Sequence, residues 1–403
     1  MSISLNVAKA SQLLDVSIDT IRRWEKRGLI KSRRTTNNHR MFQLDDLERL
    51  KAKLFGYSTE NYKILKSITR QPYKVVELFA GAGGLALGLH NSGLNCELLV
   101  EIDKNAVATL TKNRPEWPII CDDIANVDFT NVSAEIVTGG FPCQSFSYAG
   151  KKLGFEDTRG TLFFEYAKAI KTIKPQIIVG ENVRGLEKHD NGRTLTSMLQ
   201  ILDEIGYKAT YRILRTQYLD VAQKRERLVI LGVKKESNMR IAFPKEAGYT
   251  ISLKEALKDV PLSAGQKYTR KKYQIMSLIP EGGYWRNLPE DIMKSYMGAS
   301  YFQGGGKTGI ARRLAWNEPS LTLTCNPAQK QTERCHPCET RPLTVREYAR
   351  IQSFPDEWEF QGSVASQYKQ IGNAVPVNLG YHIGRCVIAM LNNNYDTNTM
   401  DII

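Results

Sequence analysis

The chain has 403 residues, 42% apolar and 24% charged, which excludes intrinsic disorder, a collagen-like repeat and a disulfide mini-fold. Seven irregularly spaced cysteines read as reduced thiols, and without a secretory leader or an apolar run of about 18 residues the expected location is cytoplasmic. The net charge of +14 is segregated: residues 1–70 carry 15 Lys/Arg against 7 Asp/Glu, residues 234–340 carry 17 against 10, and 71–233 carries 19 of each. Two basic modules around a neutral body point to nucleic acid rather than a membrane surface, since no basic amphipathic helix with a strong apolar face stands out.

Val7, Ala10, Leu13 and Leu14 fall at helical spacing, a break follows, and Asp19 opens a second helix that Gly28 closes. Two short helices around a tight turn form a helix-turn-helix. The second helix turns Arg22, Arg23, Lys26 and Arg27 outward and Ile21 and Trp24 inward, as docking in a major groove requires. Leu29 to Phe42 reads as two short strands about a polar tip, with Arg33, Arg34, His39 and Arg40 placed to reach phosphates. This segment resembles the winged helix-turn-helix of MerR-type regulators and phage excisionases, which implies DNA binding. Residues 51–72 read as a helix and a linker.

From Lys74 the pattern becomes a buried strand, Val75 to Ala80, followed by Gly81-Ala-Gly83-Gly84 and a helix. That is the opening unit of a doubly wound sheet, and its glycines admit a ligand close to the backbone. A second strand ends in Glu101, where ribose hydroxyls would be accepted. Asp123 and Ile124, after a third strand, are placed to meet an adenine. The glycine spacing alone leaves nicotinamide and S-adenosylmethionine cofactors both open.

A fourth strand, Glu135 to Thr138, runs into Gly139-Gly-Phe-Pro142-Cys143-Gln144-Ser-Phe-Ser147 at the carboxyl edge of the sheet, where open α/β sheets bind ligands. Pro142 stiffens that loop and polar neighbours surround the thiol, which suits a presented nucleophile better than a buried apolar cysteine. A fifth strand, Pro175 to Gly180, delivers Glu181 to the same edge, where burial would make it a proton donor. A sixth strand precedes Gln223. Alternation in the next strand sets Arg225 and Arg227 on one face and Glu226 on the other. Paired arginines at a cleft bind a carbonyl and a phosphate; otherwise they form a surface ladder with Glu226.

Phe79-Ala-Gly-Ala-Gly-Gly, Gly140-Phe-Pro-Cys143-Gln-Ser-Phe-Ser, Gly154-Phe-Glu-Asp-Thr-Arg159-Gly, Glu181-Asn-Val, Gln223-Lys-Arg-Glu-Arg227, Arg341-Pro-Leu-Thr and Gln370-Ile-Gly-Asn373-Ala-Val-Pro stand in one order over roughly residues 73–392. In these motifs the chain resembles a DNA (cytosine-5) methyltransferase. The resemblance implies an α/β, doubly wound, Rossmann-like large domain that binds S-adenosylmethionine, with a smaller target-recognition domain. It puts the methionine end of the cofactor over Phe79, Gly81, Gly83 and Gly84, the ribose on Glu101 and the adenine by Ile102, Asp123 and Ile124. Pro142, Leu162, Asn373 and Val375 complete the pocket. Ile102 stands where the family often has an aromatic ring. Cys143 would attack C6 of a flipped cytosine, Glu181 would hold or protonate N3, and Arg227, with Arg225 beside it, would grip O2. Gln144, Ser147 and Arg159 would contact DNA around the target base.

Residues 234–340 lack the βα rhythm and are glycine-rich around Tyr301 to Lys307, where the resemblance places target recognition; Gln303, Lys307, Arg312 and Arg313 are candidate base or phosphate contacts. Cys325, Cys335, His336 and Cys338 do not have zinc spacing, so no metal is expected. A helix opening at Gly372 to Val375 would return to the large domain, and residues after Asn392 read as a frayed tail. The expected units are 1–70, 71–233, 234–365 and 366–403. The expected partner is double-stranded DNA, bound by a monomer at the target and by a dimer through the N-terminal unit at a promoter, with a cognate restriction endonuclease linked only genetically. The competing readings are a DNA-binding regulator with an inert body, a tRNA cytosine methylase, and a dehydrogenase, which leaves the Pro-Cys loop without a task.

Overall fold

The computed structural model describes residues 4–14, 16–26, 28–35, 39–43, 46–47, 50, 62–142 and 161–403. Seven strands form the central sheet: β1 (Lys74–Leu78), β2 (Asn95–Glu101), β3 (Ile119–Cys121), β4 (Ile136–Gly139), β5 (Ile177–Val183), β6 (Tyr207–Arg215) and β7 (Glu226–Lys234). Their order is β3-β2-β1-β4-β5-β7-β6. The first five are parallel, but β7 inserts antiparallel to both β5 and β6, so the sheet is mixed at that end. A short connection from β6 permits this, because only parallel neighbours need a long crossover.

Alternation along β1 sends Val75 to one face and Val76 and Leu78 to the other. Over the first face lie α1 (Gly84–Ser92) and, from the far end of the chain, a long helix at Val377–Leu391; over the second lie α3 (Leu162–Ile173) and α4 (Arg193–Glu204). Numbering α2 (Lys104–Asn113), α5 (Val345–Ile351) and α6 (Val364–Asn373) in order makes the long helix α7. A Cβ on Gly88 would stand 2.3 Å from the Val377 carbonyl oxygen, so α1 and α7 touch backbone to backbone. The apolar run Val364–Leu391 is broken at Pro376 and is a core element, with 78% of its most apolar window buried. The returning helix therefore begins at Val377, while Gly372 and Asn373 close the helix before it.

One further expectation changes. The tail is not frayed: Met400–Ile402 pairs antiparallel with Ala242–Pro244, Met400 is buried, and Asp401 meets Arg212 at 2.6 Å. Of the stretch expected as helix and linker, residues 51–61 lie outside the described residues, and residues 62–72 carry no helix and lie on the body. Buried Asn378 accepts from the Leu65 N–H at 2.9 Å and donates to the Lys63 carbonyl at 3.0 Å.

In the N-terminal unit, helices Val7–Leu14 and Ile18–Lys26 pack Ala10, Leu14 and Ile21 against Phe42. Ser17 caps the second helix, accepting from the Thr20 N–H at 3.2 Å. The wing strands Arg33–Arg34 and Arg40–Gln43 are joined by a third, Ser4–Asn6, and Glu25 pairs with Arg40 at 2.6 Å to tie helix to wing.

Candidate active site

The carboxyl ends of β1, β2, β4 and β5 open into a cleft of about 680 Å³, closed on its far side by residues 369–375. The glycine turn after β1 forms its base. Phe79 holds φ 60°, left-handed backbone that is strained for a bulky side chain, and the Ala80 N–H donates to the Val100 carbonyl at 3.1 Å to hold that turn on β2. Glu101 accepts from the Gly81 N–H and from the Asp103 N–H, each at 2.7 Å, which orients its carboxylate into the cleft. Gly81, Gly84, Ile102, Pro142, Leu162, Asn373 and Val375 line the same space. A Cβ on Gly84 would lie 2.1 Å from the Val375 carbonyl oxygen, so this glycine lets the C-terminal crossing close the pocket. Lys369 and Asp103 pair at 3.1 Å across the rim.

Three cofactor expectations differ. Gly83 lies behind the cleft, where a Cβ would meet the Leu110 side chain at 2.5 Å; its freedom serves helix packing and its φ of 83°. Asp123 and Ile124 sit beyond the lining: Asp123 caps a short 3-10 turn, accepting from the Ala125 N–H at 3.0 Å, and Ile124 is buried in the core.

At the other end of the cleft stand Glu181 on β5 and Arg227 on β7, with Arg227 Nε 2.7 Å from Glu181 Oε1. Burial raises the pKa of Glu181, and the Arg227 and Arg225 charges oppose the rise. Asn182, next to Glu181, donates to the Phe141 carbonyl at 2.9 Å and so fixes the strand end that leads to Pro142 and Cys143. Cys143, Gln144, Ser147, Arg159 and Arg27 lie outside the described residues.

Arg225 does not reach the cleft. It is 1% exposed and donates to the carbonyls of Leu323 at 3.1 Å, Gly372 at 2.9 Å and Ala374 at 3.2 Å, clamping three distant segments together. Neither a catalytic contact nor a surface ladder describes it; Glu226 pairs with Arg184 instead. Arg313 is likewise a buried clamp, donating to the Ile279, Met276, His336 and Glu339 carbonyls at 2.7 to 3.1 Å, so it presents nothing to a groove. Lys307 closes its own glycine loop on the Ser300 and Gln303 carbonyls. Arg312 is largely covered and faces Glu318 at 3.4 Å. Gln303 is exposed at the loop tip, and Arg22, Arg23, Lys26, Arg33 and Arg34 are exposed on the N-terminal unit as expected. His336 packs edge-on against Trp316.

Sequence reasoning passed over Glu77, a lining residue that is 3% exposed, and the tether Asn182. A single charge inside the apolar strand Lys-Val-Val-Glu-Leu was the available signal for the first.

A glycine turn, the acid Glu101 and the Glu181–Arg227 pair thus meet at the carboxyl edge of one α/β sheet, the edge where such sheets bind their ligands. Residues 73–389 match the model of the C-5 cytosine-specific DNA methylases, and residues 6–42 match that of the MerR family regulatory proteins. The chain belongs to the C-5 cytosine-specific DNA methylase family and is a DNA (cytosine-5) methyltransferase. It is 52% identical over 399 residues to the type II methyltransferase M.Eco47II of Escherichia coli, covering 96% of this chain and 95% of that one. It is 51% identical over 403 residues to M.PspPI of Psychrobacter sp. (strain TA137), with 96% of each covered, and 52% identical to M.Sau96I of Staphylococcus aureus, with 84% of this chain and 81% of that one covered. A Spodoptera frugiperda DNMT2 crystal structure shares the fold, with a TM-score of 0.53 at 18% identity over 78% of this chain and 99% of that one.

Proposed function

We propose that the chain methylates C5 of a cytosine flipped out of duplex DNA, using S-adenosylmethionine and a transient bond between the Cys143 sulfur and C6 of the base. The observation that carries this reading is the meeting, at one sheet edge, of the Pro142 end of the cysteine loop, the Glu181 and Arg227 pair and a nucleotide-sized cleft. The cleft fits the cofactor: Glu101 faces it as a hydroxyl acceptor, and Gly84 keeps clear the space beside Val375. Bound there, the cofactor supplies an electrophilic methyl group.

Addition of the Cys143 thiolate at C6 makes C5 an enamine carbon able to attack that methyl. Glu181, whose pKa burial raises, donates to N3 as charge builds, and Arg227 holds O2 while fixing the Glu181 carboxyl. Loss of the C5 proton then lets the Cys143 sulfur leave. None of these atoms is reachable in a stacked duplex, so the cytosine leaves the helix. Cys143→Ser should abolish methylation of plasmid DNA, and DNA containing 5-fluorocytosine should become covalently attached to the wild-type chain, since fluorine cannot depart as a proton does. Methylated plasmid from Cys143→Ser would overturn the reading.

The type II designation of the relatives supports a role as the protective half of a restriction-modification pair. The exposed Arg22, Arg23 and Lys26 support a second DNA site that represses the chain's own promoter. Arg22→Ala with Arg23→Ala should leave methylation intact and remove promoter retardation in a gel shift; unchanged retardation refutes the second site.

A further inference from the structure

Glu77 sits on β1, a central strand paired on both sides, and is 3% exposed, yet it lines the cofactor cleft. Its Oε2 has no hydrogen-bond partner among the described residues, and Thr138, its register partner on β4, has a buried hydroxyl in the same condition. Among the described residues the two cations that line the cleft are engaged elsewhere: Lys369 meets Asp103, and Arg227 meets Glu181. Among the described residues the charged groups that act on Glu77 are both acids, Glu101 from β2 and Glu181 from β5, and the Cys96 thiol of β2 is a further titratable group that its charge reaches. Burial and these two carboxylates push its carboxyl well above the ordinary range, which favours the neutral acid.

A buried acid without a partner is costly beside a neutral ligand and favourable beside a cation. Under the cofactor assignment proposed above, Glu101 marks the adenosine end and Glu181 the reacting end. Glu77 lies between those two acids, and the sulfonium is the atom that joins the two ends of S-adenosylmethionine.

We propose that Glu77 is a charge sensor that separates cofactor from product: it releases its proton to solvent on binding of the cationic S-adenosylmethionine and recovers one when the neutral thioether product is left. The step is a proton balance only. The O–H bond of Glu77 breaks as the sulfonium charge arrives and re-forms from a solvent proton after the methyl has gone, with no change of oxidation state. Affinity for the cofactor therefore rises with pH, while affinity for the product stays level. Glu77 acts as a specificity residue for the charge state of the ligand, and it helps expel S-adenosylhomocysteine after each turnover.

The test is calorimetric titration of the full chain with S-adenosylmethionine and, separately, S-adenosylhomocysteine. Working between about pH 6 and 7 keeps both ligands' amino groups protonated, and buffers of different ionisation enthalpy count the protons released. The expected result is about one more proton released by the sulfonium than by the thioether, and a ratio of their affinities that climbs up to roughly tenfold per pH unit. Glu77→Gln should erase the proton difference and weaken S-adenosylmethionine more than the product. Equal proton counts in the wild-type chain, or a difference that survives in Glu77→Gln, overturns the inference while leaving the cofactor assignment standing. If the variant does not fold, a flat affinity ratio in the wild-type chain overturns it equally. Binding of neither ligand overturns both.

Discussion

Arg227 and Glu181 are not direct partners in the sheet: β7 sets Val229 opposite Glu181 and Arg227 opposite Val183, so the guanidinium reaches diagonally along the ladder to bring Nε within 2.7 Å of Oε1. The pair joins an antiparallel strand to the parallel part of the sheet, and it exists only because β7 inserts next to β5. Arg227 is consequently held in place against the acid and, together with Arg225, opposes the effect of burial on its protonation.

Removing the cation should change both rate and pH profile. Arg227→Gln is expected to lower kcat by about 10²- to 10³-fold, as loss of one preorganised donor does. Burial already raises the Glu181 pKa and Arg227 opposes the rise, so the substitution lets it climb further. The protonated form then persists to higher pH, and the descending alkaline limb of the pH-rate profile moves upward. An unmoved limb in the variant would show that Glu181 is not the acid that sets it.

The neighbouring arginine should behave differently. Arg225→Met leaves the carbonyls of Leu323 and Gly372 without their donor and that of Ala374 with Gln352 alone, and the expected loss is about 3 kcal/mol of stability. Thermal unfolding checks this, since Arg227→Gln, which leaves a Glu181 able to take up a proton, should lower the melting temperature less than Arg225→Met does. Comparable melting of the two variants would refute the division of labour.

Glu77 carries an opposite sign. Its folded pKa is raised above the unfolded value, so it costs nothing below the unfolded pKa and progressively destabilises the ligand-free fold as pH rises. The cost grows by about 1.4 kcal/mol per pH unit while only the unfolded form is ionised. Glu77→Gln should therefore raise the melting temperature of the ligand-free chain at neutral pH and do nothing near about pH 4. A lowered melting temperature at neutral pH would contradict this.

Gly84→Ala tests the closure of the cleft. The added methyl would lie 2.1 Å from the Val375 carbonyl oxygen, and backbone on both sides leaves little room to yield. Cofactor affinity should fall by at least about tenfold, with an overpacking cost of roughly 1–3 kcal/mol in stability. Titration of the variant with S-adenosylmethionine reads the first, and chemical denaturation the second.

Much of this molecule is legible in its sequence because its strands announce themselves. Val75-Val76, Ile136-Val137 and Ile177-Ile178-Val179 are short apolar runs bounded by glycine or polar residues, and each proves to be a strand of the sheet. Glu101 and Glu181 were readable as residues of the sheet edge because each stands towards the end of an apolar strand, and both line the cleft. The role of Arg225 was not, since its three acceptors lie about a hundred residues or more away and strand alternation says nothing about distant carbonyls. Arg313 was misjudged for the same reason: a positive charge in a basic module reads as surface, while five tertiary hydrogen bonds make it core. The polar run Asn392-Asn-Asn-Tyr-Asp-Thr-Asn reads as a frayed tail, whereas the strand that follows is held by Phe243 and Arg212.

The pocket walls come from opposite ends of the polypeptide: Phe79 to Leu85 on one side, Asn373 to Val375 on the other, with α7 lying against α1 to hold them together. During synthesis the first wall leaves the ribosome long before the second exists. Nascent chains are thus unable to bind the methyl donor until α7 has emerged, and a premature stop anywhere upstream of Val377 yields a protein that marks no DNA.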